Sequence, residues 1–359
     1  LEINYNIESL SNHQPHYLNQ IEKETARHLE GKTKRDGKAY DIKNDGLKIY
    51  TTLNFTVQQA AEEAMHEHMQ VLQKQLEANW GRVRPWGSEP NLLKQAIENS
   101  RRYKYLSNKG VDSKEIERIF RTPVLMNIYY ADKARTIKSS PLDSIKHIIF
   151  QLKAGFLVSN NQTGGVLAWV GSPSYEPFTY DSVASKRQVA STFKPIVFAT
   201  ALEKGYKPCQ YYRNDKITYA DYNGWEPENF DKKYGGKYSM AGALANSVNV
   251  VAIDLLYKAK KENVIAIAHE MGIESEIPDL PSIALGVTDI SLKEMVTAYS
   301  IFPSNGQRRE MHLVTRIEDK SGKVLYEANR LETDDVLEEE NARIMVEMLC
   351  GVVDKGTGR

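Results

Sequence analysis

The stretch Arg187-Gln-Val-Ala-Ser191-Thr-Phe-Lys194-Pro195 decides how this chain is read. A serine and a lysine three positions apart share one face of a helix. A serine hydroxyl is a poor nucleophile at neutral pH until a base takes its proton. A lysine becomes that base when burial or nearby positive charge lowers its pKa. Pro195 has no N–H to return to the Ser191 carbonyl, a loss cheapest in a helix's first turn. The stretch therefore predicts Ser191 at a helix N-terminus, whose partial positive charge favours an attacking alkoxide by ~0.3–1 kcal/mol. Against this runs the bias of a residue before proline, here Lys194, away from helical geometry. Alone, Ser-x-x-Lys carries little, and its ordinary reading is a solvated helix end.

Downstream, Ser247-Val-Asn249 enters an apolar helical run. A hydroxyl and an amide two apart at a loop–helix junction can both face a cleft, the serine relaying a proton and the asparagine holding a lysine and a substrate amide. The ordinary reading is an N-cap serine with a polar neighbour. Ser159-Asn160-Asn161 has the same form and reads as a hairpin turn.

Working outward, Gly46–Leu53 alternates like a strand. After Asn54, a candidate cap, Val57, Ala61, Ala64, Met65, His68, Leu72 and Leu76 predict one apolar helix face. His66 and His68, two apart, do not share a face, and no His-Glu-x-x-His is present, so no metal site is assigned. Residues 80–140 read as two short helices and an extended piece, with Asp112-Ser-Lys-Glu115 in capping-box form. Ser140-Pro141 predicts an N-cap and first helical position for a helix ending near Gly155. A hairpin follows, Phe156–Val158 and Val166–Val170 around a turn at Asn160–Gly165. Ala243–Lys258 and Val264–Met271 are predicted helices, the second closed by Gly272. Strands at Leu313–Ile317 and Lys323–Tyr326 are candidate partners for the strand at 46–53. Residues 1–45, polar with a thin helical stripe at Tyr17–Leu29, read as a linker or docking segment.

The 359 residues are 41% apolar and 26% charged, with 47 basic against 47 acidic side chains. That is an ordinary globular composition without a nucleic-acid footprint. No apolar run reaches the ~18 residues of a membrane span, and the first residues lack a signal-peptide pattern. Cys209 and Cys350 read as two unpaired thiols.

Taken together, the Ser191–Lys194 stretch, Trp225-Glu-Pro-Glu-Asn229-Phe, Ala243-Leu-Ala-Asn-Ser247-Val-Asn249, Ala284-Leu-Gly286 through Ala298-Tyr299 and Gly351-Val-Val-Asp-Lys-Gly356-Thr-Gly-Arg359 resemble class A penicillin-binding proteins. Each piece is weak, but the ordered set is specific, running from about Gly46 to the end except for 80–140. The resemblance implies an α+β fold of the β-lactamase/transpeptidase-like, penicillin-recognising serine enzymes, with helices on an antiparallel sheet. It divides the chain into a linker (1–45), a linker/N-terminal subdomain with an insertion at 80–140 (46–150) and a transpeptidase domain (151–359). It implies a serine D,D-transpeptidase in which Ser191 attacks the D-Ala-D-Ala carbonyl of a peptidoglycan stem peptide, Lys194 is the acylation base, and Ser247 and Asn249 relay protons and position. β-Lactams would be trapped on Ser191, whose N–H would be half of the oxyanion hole. No cofactor is implied. The expected partners are stem peptides, lipid-linked precursors and β-lactam antibiotics, and no nucleic acid. The expected location is extracytoplasmic, on the periplasmic face of the inner membrane.

Three departures from the family pattern stand out. Val189-Ala190 replaces the usual Pro-Gly before the nucleophile. The glycosyltransferase domain and membrane anchor are absent from this sequence. The family's Lys-Thr-Gly strand, the source of the other oxyanion donor, is also absent: Lys355-Gly-Thr-Gly358 has an extra glycine and matches the segment before it. The sheet is thus expected to lack its C-terminal strands. A non-catalytic β-lactam sensor or scaffold, or a β-lactamase, remain as alternatives. No compelling equivalent of a β-lactamase's deacylating base is found.

Overall fold

A computed structural model describes residues 15–80, 84–130, 134–173, 180–328 and 333–359. The chain divides into two compact units. Of the described residues, those within 15–18, 55–156 and 170–182 form one, and those within 19–54, 157–169 and 183–359 form the other. Among the described residues no helix is long and apolar enough to cross a membrane.

The larger unit is built around the helix Lys194–Glu203. Its sequence, Lys-Pro-Ile-Val-Phe-Ala-Thr-Ala-Leu-Glu, has no polar face, and every residue from Lys194 to Leu202 is buried. A helix apolar all round belongs in the centre of a protein. Packed on it are Asn249–Ala259, which buries Val250, Val251, Ile253, Leu255 and Leu256, then Lys261–Glu270 and Glu339–Lys355. Each such fully buried aliphatic or aromatic side chain contributes ~1.5–3 kcal/mol.

The same unit holds an antiparallel sheet in which Val314–Glu318 lies between Lys48–Thr51 and Val324–Glu327. These are the strands whose pairing the sequence suggested. Between Val314–Glu318 and Val324–Glu327, the Asp319 carboxylate accepts the N–H groups of Ser321 and Lys323, and Gly322 adopts φ 85°. The 156–170 hairpin forms as read, the Asn160 side chain accepting from Gln162 N and Thr163 N within its turn. Cys209 and Cys350 are both exposed free thiols.

The smaller unit is mostly helical. Phe55–Trp80 buries Gln58, Ala61, Met65 and Met69. The expected face is therefore rotated: Ala64 and His68 are exposed. Residues 80–140 are richer in structure than the sequence suggested, with helices Pro85–Ser88, Pro90–Asn99, Arg101–Asn108 and Ser113–Arg121, then a hairpin of Val124–Tyr129 with Ala134–Ser139. The polar composition of the short helices hides their period.

Asp112 caps its helix by accepting from Lys114 N, but the capping box is not closed, because Glu115 holds Arg118 through two hydrogen bonds instead. Ser140 caps Pro141–Phe150 as expected. That helix stops at Phe150 rather than near Gly155. Gln73 donates to the Phe150 carbonyl and accepts from Leu152 N, drawing the chain out of the helix.

Candidate active site

The helix expected over Ala243–Lys258 is broken at Asn246-Ser247-Val248. Met240–Ala245 is capped by Ser239, whose hydroxyl accepts from Gly242 N. At its end Ser247 N donates to the Leu244 carbonyl and Val248 N to that of Ala243, with Ser247 at φ 53°. This is the Schellman closure, with serine where glycine is usual. A left-handed non-glycine residue costs ~1–2 kcal/mol. The turn re-aims the chain, so that the next helix begins at Asn249.

That second helix has no cap of its own, since Val248 offers no side-chain acceptor. Asn229 supplies one from twenty residues away: its Oδ1 accepts from Asn249 N at 3.0 Å and Val250 N at 3.3 Å. Asn229 is buried, and its amide nitrogen is spent on Asn214 Oδ1 and the Lys233 carbonyl. The sequence suggested no role for Asn229 beyond its place in the resemblance. Once the helix start at Asn249 is known, the lack of a side-chain acceptor at Val248 shows that a cap has to come from elsewhere.

Lys194 lies where these turns converge. Its Nζ donates to Ser247 O at 2.6 Å, Ser247 Oγ at 2.9 Å and Asn249 Oδ1 at 2.6 Å. Asn249 is held with its oxygen toward the lysine because its Nδ2 donates to the Glu228 carbonyl at 2.7 Å. All three acceptors around the ammonium are neutral oxygens, and Lys194 is 1% exposed. Burial lowers its pKa from 10.5 to about 8. Desolvation outweighs the hydrogen bonds here because no carboxylate offsets the lost hydration.

Ser191 is exposed, in a 3₁₀ turn, Ala190–Phe193, that leads into the Lys194–Glu203 helix. The carbonyl that Pro195 cannot serve is satisfied instead by Lys194 N–H. Lys194 itself is helical, φ −53° and ψ −43°, despite the proline after it. The 3₁₀ entry thus relieves the conflict noted in the sequence. Among the described residues no hydrogen bond joins Ser191 Oγ to Lys194 Nζ, and the Ser191 N–H has no acceptor.

The turn before Ser191 is fixed by backbone. Lys186–Gln188 pairs with Asp289–Ser291, Val189 N donates to Thr288 O, and Ala190 N to Gly286 O at 2.9 Å. Ala190 sits at φ 48°, where the family's glycine would be at ease. After it, the Tyr299 hydroxyl donates to Thr192 O at 2.6 Å. Tyr299 rides on Leu292–Ser300, which starts with a full capping box between Ser291 and Glu294. On the Ser247 side, Thr357 N donates to Ala245 O at 3.0 Å, serving one of the carbonyls the broken helix leaves open.

The structure thus gathers Lys194, Ser247 and Asn249 into one hydrogen-bonded group, with Ser191 one helical step from the lysine. Ala190, Asn229, Gly286, Tyr299 and Thr357 support it.

A penicillin binding protein transpeptidase domain profile matches residues 154–359, and a penicillin-binding protein middle domain profile matches 78–152. The chain belongs to the penicillin-binding protein transpeptidase family. The class A resemblance holds in the named relatives as well. Penicillin-binding protein 1A of Aquifex aeolicus is 27% identical over 329 residues, covering 87% of this chain and 44% of that protein. Penicillin-binding protein 2D of Bacillus subtilis is 32% identical over 208 residues, covering 56% and 30%. The chain therefore spans less than half the length of these relatives.

The fold is shared with penicillin-binding protein 1A of Haemophilus influenzae, at a TM-score of 0.65 and 18% identity over 96% of this chain and 58% of that one. It is also shared with the PonA1 protein of Mycobacterium tuberculosis, solved with penicillin V, at a TM-score of 0.58 and 18% identity over 92% and 69%. This penicillin-binding protein domain thus has the α+β transpeptidase fold expected of it.

Proposed function

We propose that this domain is a serine D,D-transpeptidase that cross-links peptidoglycan stem peptides through an acyl-enzyme on Ser191 and is acylated by β-lactams. The observation that carries the reading is Lys194, buried among neutral acceptors with a pKa of about 8. At pH 7.5 roughly a quarter of such a lysine is neutral, against about one in a thousand at its ordinary value.

Neutral Lys194 takes the Ser191 hydroxyl proton as Oγ attacks the penultimate D-Ala carbonyl. The Ser191 N–H, free of other acceptors, faces the developing oxyanion. Lys194 then passes its proton through Ser247 Oγ, 2.9 Å away, to the leaving D-Ala nitrogen. An acceptor amine attacks the ester, giving a proton back along the same path and releasing Ser191. Asn249 keeps the lysine in place and, in this reading, also takes a substrate amide.

In the whole protein the domain takes residues 151–359, and the enzyme works outside the cytoplasmic membrane, held there by an anchor, on lipid-linked precursors. Intact mass after exposure to a penicillin tests the reading. A stable adduct is expected on the unmodified chain and none on Ser191→Ala. Rapid turnover of the β-lactam would point instead to a hydrolase. Silence here and in a form carrying a Lys-Thr-Gly strand would overturn the assignment.

A further inference from the structure

The Arg101–Asn108 helix of the smaller unit carries a feature that the cleft chemistry does not use. At 3.6 residues per turn, Lys104, Asn108, Arg101, Tyr105, Lys109 and Arg102 follow one another around an arc of roughly 160°. Tyr103 and Leu106 take the other side and are half-buried. Tyr103 meets Phe120 edge-on at 6.4 Å, which fixes that side as the inner one. Every residue of the outer arc is exposed. Tyr105 stands in its middle, 58% exposed, with Lys109 Nζ 4.6 Å from its ring centroid.

The charge on this face is uncompensated. No Asp or Glu occurs from Asn99 to Val111. The acids at either end are engaged: Glu98 pairs with Lys94, and the Asp112 carboxylate accepts from Lys114 N. Among the described residues Arg101, Arg102, Lys104 and Lys109 have no anionic partner. The next helix, Ser113–Arg121, does the opposite, pairing Arg118 with Glu115 and Arg121 with Glu117. In a chain of formal net charge zero, four cations around one tyrosine form a local concentration.

We propose that this helix face docks on an anionic lipid bilayer, its four cations over phosphate-bearing headgroups and Tyr105 at the interface. The convex face of a two-turn helix suits a plane of laterally mobile charges, whereas a polyanion chain needs a groove to follow. A tyrosine ring with its hydroxyl outward sits well at headgroup level. Each Lys or Arg near such a surface is worth roughly fivefold in partitioning. With Tyr105 as the face's one large apolar group, attraction is electrostatic and screened by salt, over about 10 Å at 0.1 M and about 3 Å at 1 M.

The test is co-sedimentation of the chain with large vesicles of phosphatidylcholine alone or with one-third phosphatidylglycerol. Binding is expected to the anionic vesicles only, and is expected to be lost at 1 M salt. Replacing Arg101, Arg102, Lys104 and Lys109 by Gln should weaken it by roughly several hundredfold. Replacing the exposed Lys204, Lys207, Lys320 and Lys323 by Gln removes the same charge elsewhere and should leave binding within about threefold. Equal losses from the two quadruple variants would mean bulk charge alone, and would overturn the proposal. Failure of the unmodified chain to bind anionic vesicles would do so without any variant, including where it binds a soluble polyanion such as polyglutamate.

Discussion

A Cβ on Gly286 would lie 1.8 Å from the carbonyl oxygen of Ala190, the residue immediately before Ser191. The two are also joined by the Ala190 N–H, which donates to the Gly286 carbonyl. Both have positive φ, 69° and 48°. The turn that presents Ser191 is thus seated directly on glycine backbone, with no space for one more carbon. Gly286→Ala is therefore expected to displace the turn and to slow acylation by a fluorescent penicillin more than a hundredfold, an ångström of misplacement being enough for that. Ala190→Gly should do the reverse to strain, raising stability by roughly 1 kcal/mol in thermal unfolding while leaving Ser191 reactive.

The pH dependence follows from Lys194. Its folded pKa, about 8, lies below the 10.5 of the unfolded chain. Between those values the unfolded state binds the extra proton, so stability contributed by this group rises with pH through that window. The full difference is ~3 kcal/mol. Denaturant unfolding of the unmodified chain and Lys194→Met at pH 7.5, 8.5 and 9.5 should show the gap widening in favour of the unmodified chain. The acylation rate should climb toward a plateau above pH 8, and Lys194→Arg, charged throughout, should abolish that climb.

Ser247 combines a hydroxyl facing Lys194 with a left-handed backbone, and two substitutions separate them. Ser247→Gly keeps the helix closure and relieves strain, so the melting temperature should hold or rise. Ser247→Ala keeps the strain and should be less stable than the glycine variant by roughly 1 kcal/mol. Both lose the proton relay, and both should acylate about 10²–10⁴-fold more slowly. Retained acylation in either would remove Ser247 from the mechanism.

Asn229 caps a helix at a distance and through it holds Asn249. Asn229→Ala removes the cap and strands two N–H groups, that of Val250 buried and that of Asn249 half-buried, a loss of ~1–3 kcal/mol measured by urea unfolding. Asn229→Asp restores the acceptor at a helix N-terminus and should recover part of that stability. Recovery of the acylation rate in parallel would show that Asn229 acts through Asn249 alone.

Much of the fold was legible because it rests on local periodicity. The strand at 48–51, the hairpin turn at Asn160 and the Ser140 cap each follow from a few adjacent residues, and the structure has all three. One error fell where a distant group decided a boundary. Gln73, from another helix, ends the helix at Phe150; the capping box at Asp112 failed for a local reason instead, a competing Arg118 one turn on that takes Glu115. Like the Phe150 boundary, the rotated face of Phe55–Trp80 has a tertiary origin, since several apolar stripes fit its composition and packing chose one.

By itself the sequence determined that Ser191 and Lys194 sit one helical step apart, and that an apolar helix follows them, because spacing and side-chain volume are written in order along the chain. It did not determine that Ala243–Lys258 breaks at Ser247, because that run is helical by composition throughout. Only the tertiary structure put Ser247 and Asn249 on the Lys194 ammonium and stripped that ammonium of water. A pKa near 8 is a property of burial among neutral oxygens. Those oxygens come from segments more than fifty residues away, brought there by the packing of the core.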